Sequence, residues 1–174
     1  MMGYFVANIN VQGSGAVVAA PDYNTPGGSY YYNWMRDAAI SMRALMITNN
    51  DTALVTSLMQ SYTQWVLKVQ SKPDSNVDVR VEPKFTIPDG NPYSGGWCRP
   101  QTDGPGIRGG TLSFYALYLF NNSMDSYVKQ YLYTGNPSVY HGGAIKYDLD
   151  WVVDNWNTQG CDLWEEITST DFFW

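Results

Sequence analysis

The chain has 174 residues, 44% hydrophobic and 15% charged, with a net charge of −6. That content suits one domain with a true core and excludes a disordered chain. The negative balance argues against nucleic acid and anionic membrane surfaces, which select basic faces. No run of about eighteen apolar residues occurs, so no membrane-spanning helix is expected. Seven Trp and 14 Tyr supply flat amphipathic faces of the kind that stack on sugars, although such rings also fill cores.

Residues 1–29 lack a basic leader followed by a long apolar run, so no signal peptide is read there. Short apolar stretches broken by Gly13, Gly15, Pro21, Pro26, Gly27 and Gly28 read as an irregular lead-in with a turn before Ser29. A helix is expected from Tyr30 through Trp34, Arg36 and Asp37 to the polar break at Thr48–Asp51. Arg36 and Asp37 would project about 100° apart on it, which argues against a simple ion pair and leaves each to find another partner, a ligand hydroxyl being one candidate. The next helix is the clearest: Leu54, Leu58, Tyr62, Trp65, Val66 and Val69 recur at three- and four-residue steps, Asp51 is placed to cap the start, and Pro73 enforces the stop.

From Lys72 to about Gly110 no period survives, which in a compact domain marks a functional connection. Prolines stiffen it, glycines admit close backbone approach, and Trp97 with Arg99 is read as a stacking face beside a fixed cation. Thr111–Phe120 carries Leu112, Tyr115, Ala116 and Leu119 on one helical side, Ser123–Tyr133 is a shorter helix, and Gly135–Gly143 is a loop whose His141 is read as solvated. Ile145–Asn157 places Leu149, Val152, Val153 and Trp156 at helical spacing, with Gly160 set to end it. Beyond lies Gly160-Cys161-Asp162-Leu163-Trp164-Glu165-Glu166, three carboxylates around a bulky indole. Asp162 and Glu166 share a helical face at a cost of roughly 0.2–0.5 kcal/mol, an arrangement that favours one raised pKa among Glu165 and Glu166. The apolar, uncapped ending Phe172-Phe173-Trp174 predicts that the chain is cut short. With no alternation worth reading as strand, the tally is an all-α architecture with its chemistry on the connections.

Four motifs, Tyr30-x-Tyr-x-Trp34-x-Arg36-Asp37, Glu82-Pro83-Lys84-Phe85, Gly95-Gly-Trp97-Cys-Arg99-Pro100-Gln101-x-Asp103-Gly104-Pro105 and Asp162-Leu-Trp164-Glu165-Glu166, stand in that order. In these the chain resembles the fungal-type glucoamylases of glycoside hydrolase family 15, over most of residues 14–174. The resemblance implies an (α/α)6 barrel, here an incomplete first half, with residues 1–174 forming one partial catalytic domain truncated at its C-terminal end. It implies inverting removal of glucose from the non-reducing ends of starch, maltodextrins and maltose, with no cofactor, no metal, no nucleic acid and no membrane. Glu165 resembles the general acid, with Asp162 and Glu166 in support. Tyr30, Trp34, Arg36, Asp37, Trp97, Arg99, Leu163, Trp164 and Glu166 correspond to residues that bind substrate.

The general base of an inverting enzyme stands roughly 6.5–9.5 Å from the acid, and in the family it belongs to a later segment than this chain holds. The resemblance thus implies a fragment that hydrolyses little alone and that exposes an apolar seam prone to association. The alternatives are a non-catalytic oligosaccharide-binding fragment and a related six-hairpin glucosidase acting on another α-glucoside. An extracellular location follows from the resemblance, with N-glycosylation sequons at Asn50 and Asn121. Cys98 and Cys161 adjoin two converging motifs, so a disulfide between them is the expectation to test against two free thiols.

Overall fold

The computed structural model describes residues 2–24, 29–136 and 139–161. Its helices are α1 (Met2–Ala7), α2 (Met35–Thr48), α3 (Thr52–Gln70), α4 (Asp103–Asn121), α5 (Asp125–Tyr127) and α6 (Ala144–Asn155). A two-residue antiparallel pair joins β1 (Asn33–Trp34) to β2 (Lys84–Phe85), with Asn33 opposite Phe85 and Trp34 opposite Lys84. Helix α4 packs against α2 on one side and α6 on the other.

Helix α3 forms as its sequence dictates. The Asp51 carboxylate accepts from the Leu54 N–H at 3.0 Å, satisfying one of the orphan donors of the first turn. Its inner stripe of Leu58, Met59, Tyr62, Trp65, Val66 and Val69 is buried with Met42 and Leu45 of α2 and Leu112, Tyr115 and Leu119 of α4. Each fully buried side chain of this size contributes about 1.5–3 kcal/mol, so this one layer holds α2, α3 and α4 together.

Elsewhere the structure corrects the sequence reading. The lead-in is not wholly irregular: Met2–Ala7 is helical, with Phe5 and Val6 packed on the core. Strand β1 replaces the first turn of the helix expected from Tyr30, because the Asn33 side chain is committed elsewhere. Its amide donates to Val17 O at 2.8 Å and its carbonyl accepts from the Trp65 indole at 3.1 Å, which ties β1 to α3. Helix α4 begins at Asp103, eight residues before the expected Thr111; Asp103 and Pro105 both suit a first helical turn, and the glycines between had masked it. The helix expected over Ser123–Tyr133 is the single turn α5 followed by a wide turn at Val128–Leu132. The Gly135–Gly143 loop contains a tight turn at Tyr140–Gly142, in which His141 stacks on Tyr147 with centroids 4.1 Å apart.

Helix α6 ends at Asn155, short of Gly160, and its buried face is not the apolar one read from spacing. Asp148 and Trp151 are buried, whereas Val153 and Trp156 are 74% and 68% exposed. Asp148 decides this rotation. Its carboxylate takes a bidentate pair of bonds from Arg108 at 2.6 and 2.7 Å and a third from the Gln70 amide at 2.8 Å, so turning it outward would strand a buried guanidinium. Gly109 allows the approach: a Cβ there would lie 2.8 Å from Leu149 Cδ2. Away from the core, Ile40, Ile47, Phe114, Leu117, Val153 and Trp156 leave apolar surface exposed on α2, α4 and α6. Two hollows of about 450 and 480 Å³ on these helices share Gly106 and Ile107 as walls.

Candidate active site

The β1–β2 register builds the site. Trp34 pairs with Lys84, and the bonds Met35 N–H to Pro83 O (2.9 Å) and Tyr93 N–H to Lys84 O (2.9 Å) fix the strands to α2 and to the long connection. The Lys84 ammonium, on a residue 3% exposed, then lies over four rings: 3.9 Å from the Trp97 centroid, 4.1 Å from Tyr93, 4.3 Å from Tyr32 and 4.6 Å from Trp34. The rings brace one another edge to face, Trp34 against Trp97 at 5.7 Å and Tyr32 against Tyr93 at 5.3 Å, while Tyr30 stacks on Trp34 at 5.5 Å. A desolvated cation over ring faces is worth about 2 kcal/mol or more, and it polarises the rings that form the wall.

The cation expected beside Trp97 is therefore Lys84, not Arg99. Arg99 is turned inward as a pin: its Nε pairs with the fully buried Glu82, Nη2 donates to Tyr93 O at 2.6 Å, and Nη1 donates to Gly95 O and Trp97 O, both at 3.2 Å. It closes the 93–99 loop into the shape that presents Tyr93 and Trp97. Burial pushes the Glu82 carboxyl up to about 7, against the opposing pull of Arg99. Glu82 also accepts the Lys84 N–H at 3.2 Å, so one carboxylate braces both the loop and the strand.

Next to this cage, at the start of α2, Arg36 Nη1 donates to Asp103 at 3.1 Å and to Gln101 at 3.3 Å. Its Nη2 also stands 3.6 Å from the Asp37 carboxylate, so the neighbours do meet, contrary to the helical-wheel expectation; the contact is long, and Asp103 is the nearer partner. Loss of solvation holds the Asp37 carboxyl above its usual range, opposed by Arg36. Arg36 and Asp103 line the hollow completed by Trp151, Val152, Asn155 and Trp156.

Cys98 and Cys161 form the expected disulfide, Cα atoms 5.7 Å apart across 63 residues of sequence. The bond joins the neighbour of Trp97 to the neighbour of Asp162, and the Cys161 N–H donates to Pro100 O at 2.7 Å beside it. Asp162, Leu163, Trp164, Glu165 and Glu166 themselves lie outside the described residues. Of the other expected site residues the structure gathers Tyr30, Trp34, Arg36, Asp37 and Trp97, and assigns Arg99 to the frame. Sequence reading gave no role to Lys84, Tyr32 or Tyr93. Tyr32 and Lys84 belong to quoted motifs and Tyr93 stands just before one, but separate segments with no shared period carry the three. Among the described residues no three His, Cys, Asp or Glu side chains are grouped to hold a metal ion, and no helix is long and apolar enough to cross a membrane.

The profile of Glycosyl hydrolases family 15 matches residues 3–173. Glucoamylase-1 of Schizophyllum commune is 35% identical over 181 residues, covering 97% of this chain and 29% of the relative. Glucoamylase 1 of Rhizopus oryzae is 35% identical over 173 residues, covering 95% and 26%. Among solved structures, the family 15 glucoamylase from Hypocrea jecorina superposes with a TM-score of 0.78 at 30% identity, covering 97% of this chain and 28% of that one. The glucoamylase from Saccharomycopsis fibuligera gives 0.72 at 31%, covering 97% and 38%. The helices described above are thus part of an (α/α)6 barrel, and the chain spans between about a quarter and two fifths of the length of these relatives. A match that runs from residue 3 to residue 173, joined to a helical barrel segment of the same class, places the chain in glycosyl hydrolase family 15.

Proposed function

We propose that this chain carries the N-terminal portion of a glucoamylase site, which removes glucose from the non-reducing ends of starch and maltodextrins with inversion at the anomeric carbon. The single observation that carries the reading is the ring-walled cage around Lys84 set beside Arg36 and Asp37: flat faces for a glucosyl ring next to charged groups for its hydroxyls. Tyr30, Trp34 and Trp97 form the wall, Arg36 and Asp37 hydrogen-bond the terminal glucose, and Arg99 keeps the loop in shape. Leu163, Trp164 and Glu166 are assigned to substrate binding by the family resemblance alone. Glu165, supported by Asp162, gives its proton to the bridging oxygen as the bond to the anomeric carbon breaks; water then adds from the opposite face, its proton taken by a base supplied from outside this chain.

General base catalysis alone is worth about 10² to 10⁴ in rate, so the isolated chain binds poorly and releases glucose negligibly. The apolar surface of α2, α4 and α6 is the seam on which further barrel helices pack, and without them it promotes self-association. An extracellular location accords with the disulfide and with the exposure of Asn50 and Asn121 at helix ends. The test is intrinsic tryptophan fluorescence titrated with maltose, acarbose, trehalose and isomaltose, alongside a glucose-release assay. Saturable change with maltose and acarbose, lost in Trp97→Ala, supports the reading. A response to trehalose or isomaltose alone, or glucose release well above a Glu165→Gln control, overturns the assignment of substrate or of incompleteness respectively.

A further inference from the structure

Tyr30 and Tyr32 both serve the cage, but Tyr31 between them does not. The Tyr32 N–H returns to Tyr30 O at 2.8 Å, a tight three-residue turn with Tyr31 at its tip. Tyr31 stacks instead on Tyr23, the ring centroids 4.2 Å apart and the planes 21° from parallel. Tyr23 is 61% exposed, so one broad aromatic face of the pair is open to water. Gln12 Nε2 donates to the Tyr31 hydroxyl at 3.3 Å. Gln12 reaches it from a left-handed backbone conformation, φ 55°, which is unfavourable for a side-chain-bearing residue and is kept here.

The rings are not needed to close the excursion that carries them. Its neck is already held by Ala19 N–H to Tyr32 O (3.0 Å), Tyr30 N–H to Asp22 O (3.1 Å) and Ala20 N–H to Tyr30 O (3.3 Å). An exposed aromatic face with an amide and two hydroxyls at its rim is the arrangement that accepts a pyranose ring: the apolar C–H face stacks, and the equatorial hydroxyls meet the rim.

We propose that Tyr23 and Tyr31 form a second α-glucan contact, separate from the cage, on which one glucosyl unit of a longer chain stacks with Gln12 at its edge. The ligand class rests on the function proposed above; the site does not share its residues. Because the platform adds to the grip on polymers, it acts on starch and leaves maltose binding in the cage unaltered.

The test is affinity electrophoresis of the chain through gels with and without soluble starch, paired with the maltose fluorescence titration. The wild-type chain is retarded by starch; Tyr23→Ala and Tyr23→Leu weaken the retardation about three- to tenfold, Tyr23→Trp restores it, and all three keep the maltose response. Starch retardation equal in Tyr23→Ala and wild type overturns the platform, as does a wild-type chain that starch does not retard. Retardation abolished by Trp97→Ala and untouched by Tyr23→Ala assigns polymer binding to the cage, so the platform falls while the proposed function stands. Retardation that depends on Tyr23, in a chain whose fluorescence ignores maltose and acarbose, does the reverse. Equal thermal midpoints for Tyr23→Leu and wild type exclude a folding defect as the cause.

Discussion

Lys84 and Arg108 are both buried cations, 3% and 2% exposed, in different surroundings. Arg108 meets a carboxylate in bidentate geometry inside the helical layer, with Gln70 on the same acid. Lys84 is walled by four aromatic rings at the edge of a two-stranded ribbon. The first arrangement satisfies directional donors and fixes the register of α4 on α6. The second closes four ring faces around a charge. Equal burial therefore hides different chemistry, which only the surroundings of each cation reveal.

Removing the Arg108 partner is the strongest way to break this contrast. Asp148→Ala leaves a buried guanidinium without its acid and is expected to lower stability by about 3–5 kcal/mol in urea unfolding, with no separate effect on ligand-induced fluorescence beyond loss of folded protein. Opening the 63-residue loop comes next. Replacing both Cys98 and Cys161 with Ser is expected to cost about 2–4 kcal/mol, read as a lower urea midpoint. Lys84→Met keeps the stem and removes the charge: the expected loss is about 2 kcal/mol, smaller than for Asp148→Ala, yet the maltose response is abolished. If Lys84→Met destabilises as much as Asp148→Ala and leaves the maltose response intact, the two cations are alike and the contrast fails.

A pH-dependent effect concerns Glu82. Its carboxyl is pushed up to about 7 in the folded chain, above its ordinary 4.5. The native state therefore binds the proton more tightly than the unfolded state. This contribution to stability is fully present below about pH 4.5 and is lost as pH rises through 7. Glu82→Gln is expected to flatten that decline in thermal midpoints between pH 4.5 and 7; an unchanged slope would assign it to other groups.

What the sequence made legible was whatever is local or periodic. The Asp51 cap and the stripe of α3 depend on residues within one helix, and both stand as read. The four motifs pointed to the right family because each is a short run of unusual residues. The face of α6 was misread because Asp148 finds its partners 40 and 78 residues away, and hydrophobic spacing contains no record of a buried acid. The start of α4 was hidden by glycines that serve packing rather than turning. The cage was invisible as a unit: Tyr32, Lys84, Tyr93 and Trp97 converge only after β1 pairs with β2 and the Arg99 pin bends the loop. The disulfide was anticipated from the motifs it adjoins, not from any property of the cysteines themselves.

The hydrogen atom that serves as the Gly109 side chain reaches further than its size suggests. It lets α4 and α6 touch, and the same two helices supply most of the rim beside Arg36, from Gly106 and Ile107 to Trp151 and Val152. An added methyl would have to displace Leu149 or wedge the helices apart, and wedging would enlarge that rim without altering any residue in it. The aperture next to Arg36 is thus calibrated from behind, by a position that a comparison of binding residues alone would pass over.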